Sequence, residues 1–277
     1  MLALALLLQS DAAMKPLVVF YTTALGVSWL LWAPWVAHVQ GVRSIPSSPY
    51  LHLVGSLGPA VAALIVLARS TGAGAMRQLV RRTFTARAAM QAAIWAVAVP
   101  TLVFVAGLLG MAASSRWIIR WNVIRVVSDY PTLSPFVYAL ASLVFYGFGE
   151  EIGWRGFLYP HLRLRHRPLA ASLLVVPFWA FWHLPLFFAT DSYRAMGVGG
   201  AAGWLASLVS GSLLTAWLTD RARGSILPAA VLHAVLDIYF LADVGAPIQT
   251  VLGAAVTITG IAVAVIQARP QRAATGA

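Results

Sequence analysis

Eight apolar runs, separated by short polar stretches, succeed one another along the chain. They predict helices near 17–37, 49–68, 90–113, 135–162, 168–189, 199–219, 224–241 and 247–267. About 20 helical residues cross the hydrocarbon core of a bilayer. Inside that core a helix satisfies its own backbone hydrogen bonds. The pattern therefore predicts an all-α protein, a polytopic transmembrane helical bundle of about eight spans.

Basic residues gather between particular runs. Arg69, Arg77, Arg81, Arg82 and Arg87 fall between the second and third, Arg163, Arg165 and Arg167 between the fourth and fifth. Arg221 and Arg223 fall between the sixth and seventh, and Arg269 and Arg272 follow the eighth. With an even number of spans these regions share one side, which the positive-inside rule makes cytoplasmic, together with both termini. Arg116, Arg120 and Arg125 run against this trend. Beside them Trp117 and Trp121 share one helical face, read as a helix lying in the interface rather than a substrate gate. Trp29, Trp32 and Trp35 read as an aromatic belt. Gly199, Gly203, Ser207, Gly211 and Thr215 recur every four residues, a stripe expected to pack closely against a neighbouring helix. Pro34, Pro59, Pro100, Pro177, Pro185 and Pro228 are expected to kink or interrupt their spans.

Residues 1–13 read as an N-terminal extension, because Met1 to Gln9 is apolar without a basic flank and Met14-Lys15 is a more ordinary start. Residues 14–277 then make a single transmembrane helical domain, with a catalytic core at about 135–241. Composition removes other classes. Of 277 residues, 60% are hydrophobic and 10% charged, against about 45–50% and 25% in soluble domains. That excludes a water-soluble globular domain, disorder and a coiled coil. A formal charge of +11 would point to nucleic acid in a soluble protein. Here basic cytoplasmic loops account for it, and no nucleic-acid partner is expected. Lys15 is the only Lys among 19 basic residues, which reads as the composition bias of a GC-rich bacterium. There is no Cys, so disulfides and thiolate chemistry are excluded.

An ionisable group within the bilayer costs about 2.5–3.5 kcal/mol on insertion scales, and such residues mark functional sites. Here they are Glu150, Glu151, Arg155, His183, His233 and Asp237, confined to three spans. Two adjacent carboxylates discourage joint ionisation unless a cation is near. Arg155 stands one turn after Glu151 and pairs with it easily, whereas Glu150 points about 100° away. One carboxylate is thus held and the other left to act. His233 and Asp237 share a face four residues apart. At 1.5 Å per residue, Glu150, His183 and His233 lie about 18, 22 and 14 Å from the cytoplasmic ends of their helices, which suits a shared cavity opening to the cytoplasm. Such a set allows activation of water by a general base, Zn²⁺ binding, or proton relay in a transporter. The absence of H-E-x-x-H, G-x-S-x-G and a Walker loop removes zincins, serine hydrolases of that type and ATP motors. His38, His52, His161 and His166 read as interfacial or loop residues.

The run Glu150-Glu151-Ile152-Gly153-Trp154-Arg155-Gly156-Phe157-Leu158 resembles the first motif, E-E-x-x-x-R, of the CPBP intramembrane protease family, which includes CAAX prenyl endopeptidases. Trp179 to His183 stands where the family has F-x-x-x-H, and His233 with Asp237 matches H-x-x-x-N/D. The resemblance covers roughly 140–241. It implies an intramembrane endopeptidase of the bacterial cytoplasmic (inner) membrane, hydrolysing a bond in a membrane-associated peptide or protein, prenylated in the eukaryotic relatives. It implies that Glu150 and His183 activate water, that Glu151 and Arg155 support the site, and that His233 and Asp237 serve the oxyanion or position water. Both a metalloprotease, with Zn²⁺ or another divalent metal on Glu150, His183, His233 and Asp237, and a metal-free glutamate mechanism are described for the family. Two departures stand out. Trp179 in place of Phe is expected to change bulk but no proton chemistry. Ionised Asp237 only accepts hydrogen bonds, so it must be protonated, bind a metal or orient His233. The rival readings are a proton-coupled transporter and a non-catalytic protein of the bacteriocin-immunity type.

Overall fold

The computed structural model describes residues 11–70, 73–84, 87–114, 130, 132–242 and 246–268. All eight expected runs are helical. Helix α1 spans Asp11–Val39. The second run divides into α2 (Tyr50–Gly55) and α3 (Gly58–Ser70), and α5 (Arg87–Ala113) is the third. The fourth is a continuous helical path that changes gauge twice. It comprises α6 (Pro135–Ala141), a π-helical turn (Ser142–Phe148), α7 (Gly149–Gly153), a second π-helical turn (Trp154–Leu158) and α8 (Tyr159–Arg163). Then come α9 (Pro168–Trp182), a 3₁₀ turn (Leu184–Phe188), the short α10 (Asp191–Arg194), α11 (Val198–Arg221), α12 (Leu227–Leu241) and α13 (Ala246–Ala268). No strand occurs among the described residues.

Among the described residues six stretches are long and apolar enough to cross a membrane: Lys15–Val39, Tyr50–Arg69, Arg87–Ala113, Pro168–Phe188, Val198–Arg221 and Pro247–Ala268. Leu227–Phe240 is a shorter apolar helix, and the fourth run is the one broken by π turns. The protein is an integral membrane protein built as a helical bundle.

Several expectations change. Arg77 and Arg81, read as loop residues, lie on an additional helix, α4 (Ala73–Phe84). It is strongly amphipathic, as a helix at a membrane surface is. Leu79 of this helix faces Gly156. The tryptophans of α1 form no belt. Spaced by three, they share one face and turn inward: Trp32 is fully buried and Trp35 nearly so. Trp29 donates to the Trp182 carbonyl at 3.0 Å, and Trp32 to the His52 carbonyl at 3.1 Å. The small-residue stripe of α11 packs closely only in part. Nothing lies within 4 Å of where a side chain at Gly199 or Gly203 would start. The close approach is on a neighbouring face, where a Cβ at Gly260 would lie 2.5 Å from the Ser210 Cβ. Pro34, Pro100 and Pro177 lie inside helices, whereas Pro59 and Pro228 begin them and Pro185 opens the 3₁₀ turn, where a missing N–H costs nothing. Residues 1–10 of the proposed extension lie outside the described residues. So do Arg116, Trp117, Arg120, Trp121, Arg125, Arg269 and Arg272.

The main core gathers Phe20, Trp32, Trp154, Trp182 and Leu186 from α1, the fourth run, α9 and the 3₁₀ turn that follows it. Lipid tails are as apolar as these side chains, so packing and hydrogen bonds, not exclusion of water, hold them together. Ser28 of α1 ties α2 to α9. Its hydroxyl donates to the Gly55 carbonyl at 2.7 Å and accepts from the Trp182 indole at 2.7 Å.

Candidate active site

The fourth run is clasped between α3 and α12, and two glycines make this possible. A Cβ at Gly147 would lie 2.5 Å from the Ala230 carbonyl oxygen, and one at Gly153 would lie 2.4 Å from the Pro59 Cβ. No larger residue fits either contact. Between these contacts sits α7, carrying both glutamates with π turns on either side. Such turns are often found at functional sites because they re-aim the side chains that follow.

The expected division of the two carboxylates is present. Glu151 and Arg155 are fully enclosed, with Arg155 Nη1 donating to Glu151 Oε1 at 3.0 Å. The same oxygen accepts from His233 Nδ1 at 2.8 Å. The guanidinium carbon of Arg155 also lies 4.5 Å from the Trp179 ring centroid. That cation–π contact faces a cation that leaves Nε and Nη2 without hydrogen bonds. Glu150 points elsewhere. Its Oε2 accepts from the Trp179 indole N–H at 2.8 Å and lies 4.0 Å from His233 Nε2. Its Oε1 has no partner among the described residues.

Trp179 therefore does more than add bulk. Its indole N–H orients Glu150, its ring covers Arg155, and its carbonyl accepts from His183 Nδ1 at 2.8 Å. A Phe at this position has no N–H and makes no such bond to Glu150. Once Nδ1–H is given to Trp179, the neutral His183 ring has its lone pair on Nε2. His233 is fixed in the same sense, Nδ1–H to Glu151, with Nε2 toward Glu150 and Asp237. Asp237 Oδ2 lies 3.6 Å from His233 Nε2, beside the imidazole and beyond hydrogen-bond length. This geometry suits electrostatic orientation of His233, one of the three roles open to Asp237.

The sequence reading missed the surroundings of this group. His183 is enclosed by Trp182, Trp204, Trp179 and Tyr193, with ring centroids at 4.8, 5.6, 5.9 and 6.4 Å. Trp204 Nε1 donates to the Tyr193 hydroxyl at 3.3 Å. His52, read as interfacial, belongs to a hydrogen-bonded group. Its Nδ1 is 2.9 Å from the Tyr130 hydroxyl and 3.2 Å from that of Tyr146, and those two hydroxyls are 2.7 Å apart. Tyr146 precedes Glu150 by four residues, a spacing that would have placed it near the site.

The chemistry of the donors bears on a metal. Both histidines offer Nε2 while Nδ1–H is held by an oxygen, the usual second partner of a metal-bound imidazole. Yet among the described residues no three His, Asp or Glu side chains converge as a metal-holding group. The set Glu150, His183, His233 and Asp237 is not gathered around one point, so no step below runs through a metal.

Comparisons with known proteins meet this geometry at the same segment. Residues 132–239 match the family model of Rce1-like type II CAAX prenyl endopeptidases. That range takes in Glu150, Glu151, Arg155, His183, His233 and Asp237. A stretch of 107 residues is 29% identical to a protein named CAAX prenyl protease 2 of Methanococcus maripaludis, covering 37% of this chain and 40% of the relative. The match thus spans less than half the length of that curated relative.

Proposed function

We propose that this chain, whose residues 132–239 belong to the CPBP/CAAX protease family, is an intramembrane endopeptidase that uses Glu150 to activate water. The observation that carries the reading is the contrast between neighbouring carboxylates. Both partners of Glu151, Arg155 and His233, sit on its Oε1 and the side chain is sealed with Oε2 buried, while Glu150 is held by one indole N–H and keeps 4% of its side chain exposed.

In this mechanism Glu150 Oε1 takes a proton from water as the water oxygen adds to the scissile carbonyl carbon. His183 Nε2 accepts the second hydrogen bond of that water and fixes its lone pair on the carbonyl. His233, when both nitrogens are protonated, donates from Nε2 to the developing oxyanion, while Glu151 holds Nδ1. Collapse of the tetrahedral intermediate breaks the C–N bond, and Glu150 returns its proton to the leaving amine. Asp237 steers His233 and does not meet the oxyanion. The substrate is a membrane-associated peptide or protein, and the relative's name makes a prenylated peptide the first probe. The Arg-rich loops, by the positive-inside rule, support a reading with both termini in the cytoplasm.

The test uses the purified chain in lipid with prenylated and unprenylated peptides in ¹⁸O-water, read by mass spectrometry. Wild type is expected to yield new C-termini carrying ¹⁸O, and Glu150→Gln none. Undiminished turnover by a folded Glu150→Gln variant would end Glu150's role as base.

A further inference from the structure

We infer that helix α4 is a docking surface for anionic phospholipid headgroups, held by the exposed arginines on it and beside it. The inference goes beyond the proposed function. It concerns the leaflet on which the bundle rests, not the bond that is cut.

Helix α4 (Ala73–Phe84) joins two spans, α3 and α5. One stripe of it faces the protein. Met76 and Leu79 are half-buried and Thr83 is 3% exposed, at the three- and four-residue spacing of a single helical face. Two contacts fix that stripe. Leu79 Cδ1 lies 3.1 Å from where a Cβ at Gly156 would start, and Ser225 donates to the Thr83 carbonyl at 3.0 Å. The helix is therefore seated on the second π-helical turn and on the turn that enters α12, and its outer face has a set direction.

That outer face is basic with an apolar margin. Arg77 and Arg81 stand one turn apart and both are exposed. Val80 is 53% exposed. At about 100° per residue it lies between the seated stripe and the arginines, about 40° from Met76 and about 60° from Arg77. An exposed apolar side chain in that place is poorly suited to water and well suited to the boundary between headgroups and acyl chains. The tether enforces this depth. Two residues separate α4 from each span, a reach of about 11 Å at most, so the helix cannot leave the membrane surface for a soluble partner.

The surroundings add to the charge. Arg69 before the helix and Arg87 after it are exposed, and the Ser225 bond brings exposed Arg221 and Arg223 to the same end. Among the described residues none of Arg69, Arg77, Arg87, Arg221 and Arg223 forms an ion pair with a carboxylate. Asp220, the acid beside Arg221, accepts from the Tyr159 hydroxyl at 2.7 Å. The counter-charge must then come from outside the chain. A lipid phosphate at headgroup depth supplies it, and guanidinium groups take phosphate with two parallel hydrogen bonds.

The test uses the full chain, which has no cysteine of its own. Val80→Cys carries a fluorescent label, and the protein is reconstituted in phosphatidylcholine containing brominated quencher lipid. The quencher is either brominated phosphatidylglycerol or brominated phosphatidylcholine, at the same share. One arginine near an anionic surface is worth about fivefold in binding, so the anionic quencher should be preferred about fivefold or more. The preference should disappear in the Arg77→Gln/Arg81→Gln variant and persist in Arg77→Lys/Arg81→Lys, which keeps the charge. A label at Val42→Cys, beyond the far end of α1 and 47% exposed, should show no preference. Equal quenching by the two lipids at Val80→Cys, or quenching by neither, would overturn the inference. So would a preference that survives the double Gln variant, or one of equal size at Val42→Cys. None of these readings uses turnover. Absence of peptide hydrolysis together with the expected quenching would count against the protease reading alone.

Discussion

Replacing Arg155 with methionine isolates the buried ion pair on which the arrangement depends. Arg155 and Glu151 are enclosed completely, 3.0 Å apart, and the guanidinium leaves two of its nitrogens unbonded. The change removes the cation but leaves Glu151 in place, with His233 as its remaining partner. An orphaned buried charge costs about 3–5 kcal/mol. The lost contact with the Trp179 face, 4.5 Å away, adds about 1–2 kcal/mol. Arg155→Met should therefore unfold about 4–7 kcal/mol more easily in reversible denaturation from mixed micelles. Glu151→Gln alone should be costly too, since it orphans the arginine. Combined, the two remove both charges, keep an amide oxygen for His233 Nδ1–H, and leave no buried charge unpaired. The double variant should recover most of the loss, giving a coupling energy of at least 2–3 kcal/mol, above the range for independent sites. Simple additivity of the two losses would refute the claim that these charges exist to neutralise each other.

Trp179→Phe deletes the indole donor to Glu150, a hydrogen bond to a charged group worth about 1.5–3 kcal/mol. It should slow turnover about 10- to 150-fold with little change in KM, and unchanged kcat would show that the bond does not serve Glu150. Gly153→Ala places a methyl 2.4 Å from the Pro59 Cβ. It should cost about 1–3 kcal/mol of stability in the same unfolding assay, and an unaltered midpoint would contradict the close approach of α3. Because the donors do not gather around one point, exhaustive chelation is expected to leave turnover intact. Activity lost to chelator and regained with added Zn²⁺ would reverse that.

The eight helical runs were legible because hydrophobic length is a strong signal when a bilayer is the solvent. The Glu151–Arg155 pair was legible because it is local, one helical turn apart. What escaped depends on the directions of faces between distant elements. Trp29, Trp32 and Trp35 have the composition of a belt, and only the neighbours of α1 show that their shared face turns inward. Likewise α4 carries too many arginines to read as a span, and its helical character comes from an apolar face that includes Leu79, set on Gly156. The role of Trp179 was hidden for another reason. Exchange of Phe for Trp looks conservative by volume, and the indole N–H matters only because Glu150 lies 2.8 Å away. Glu150, His183, His233 and Asp237 were grouped by depth, and the structure brings Glu150 and Asp237 to 4.0 and 3.6 Å from His233 Nε2 and links His183 to Glu150 through Trp179.

Two glutamates adjacent in sequence acquire opposite fates without any difference in their own chemistry. A rotation of about 100° separates them on the helix, and everything else follows from what each then meets. Glu151 meets a cation one turn ahead and an imidazole from α12, and forms with the cation a fully enclosed pair. Glu150 meets a single indole and keeps an oxygen for water. The arginine is buried because Glu151 is: a carboxylate that holds an imidazole in a fully enclosed position needs a cation beside it, since an unpaired buried charge is strongly destabilising.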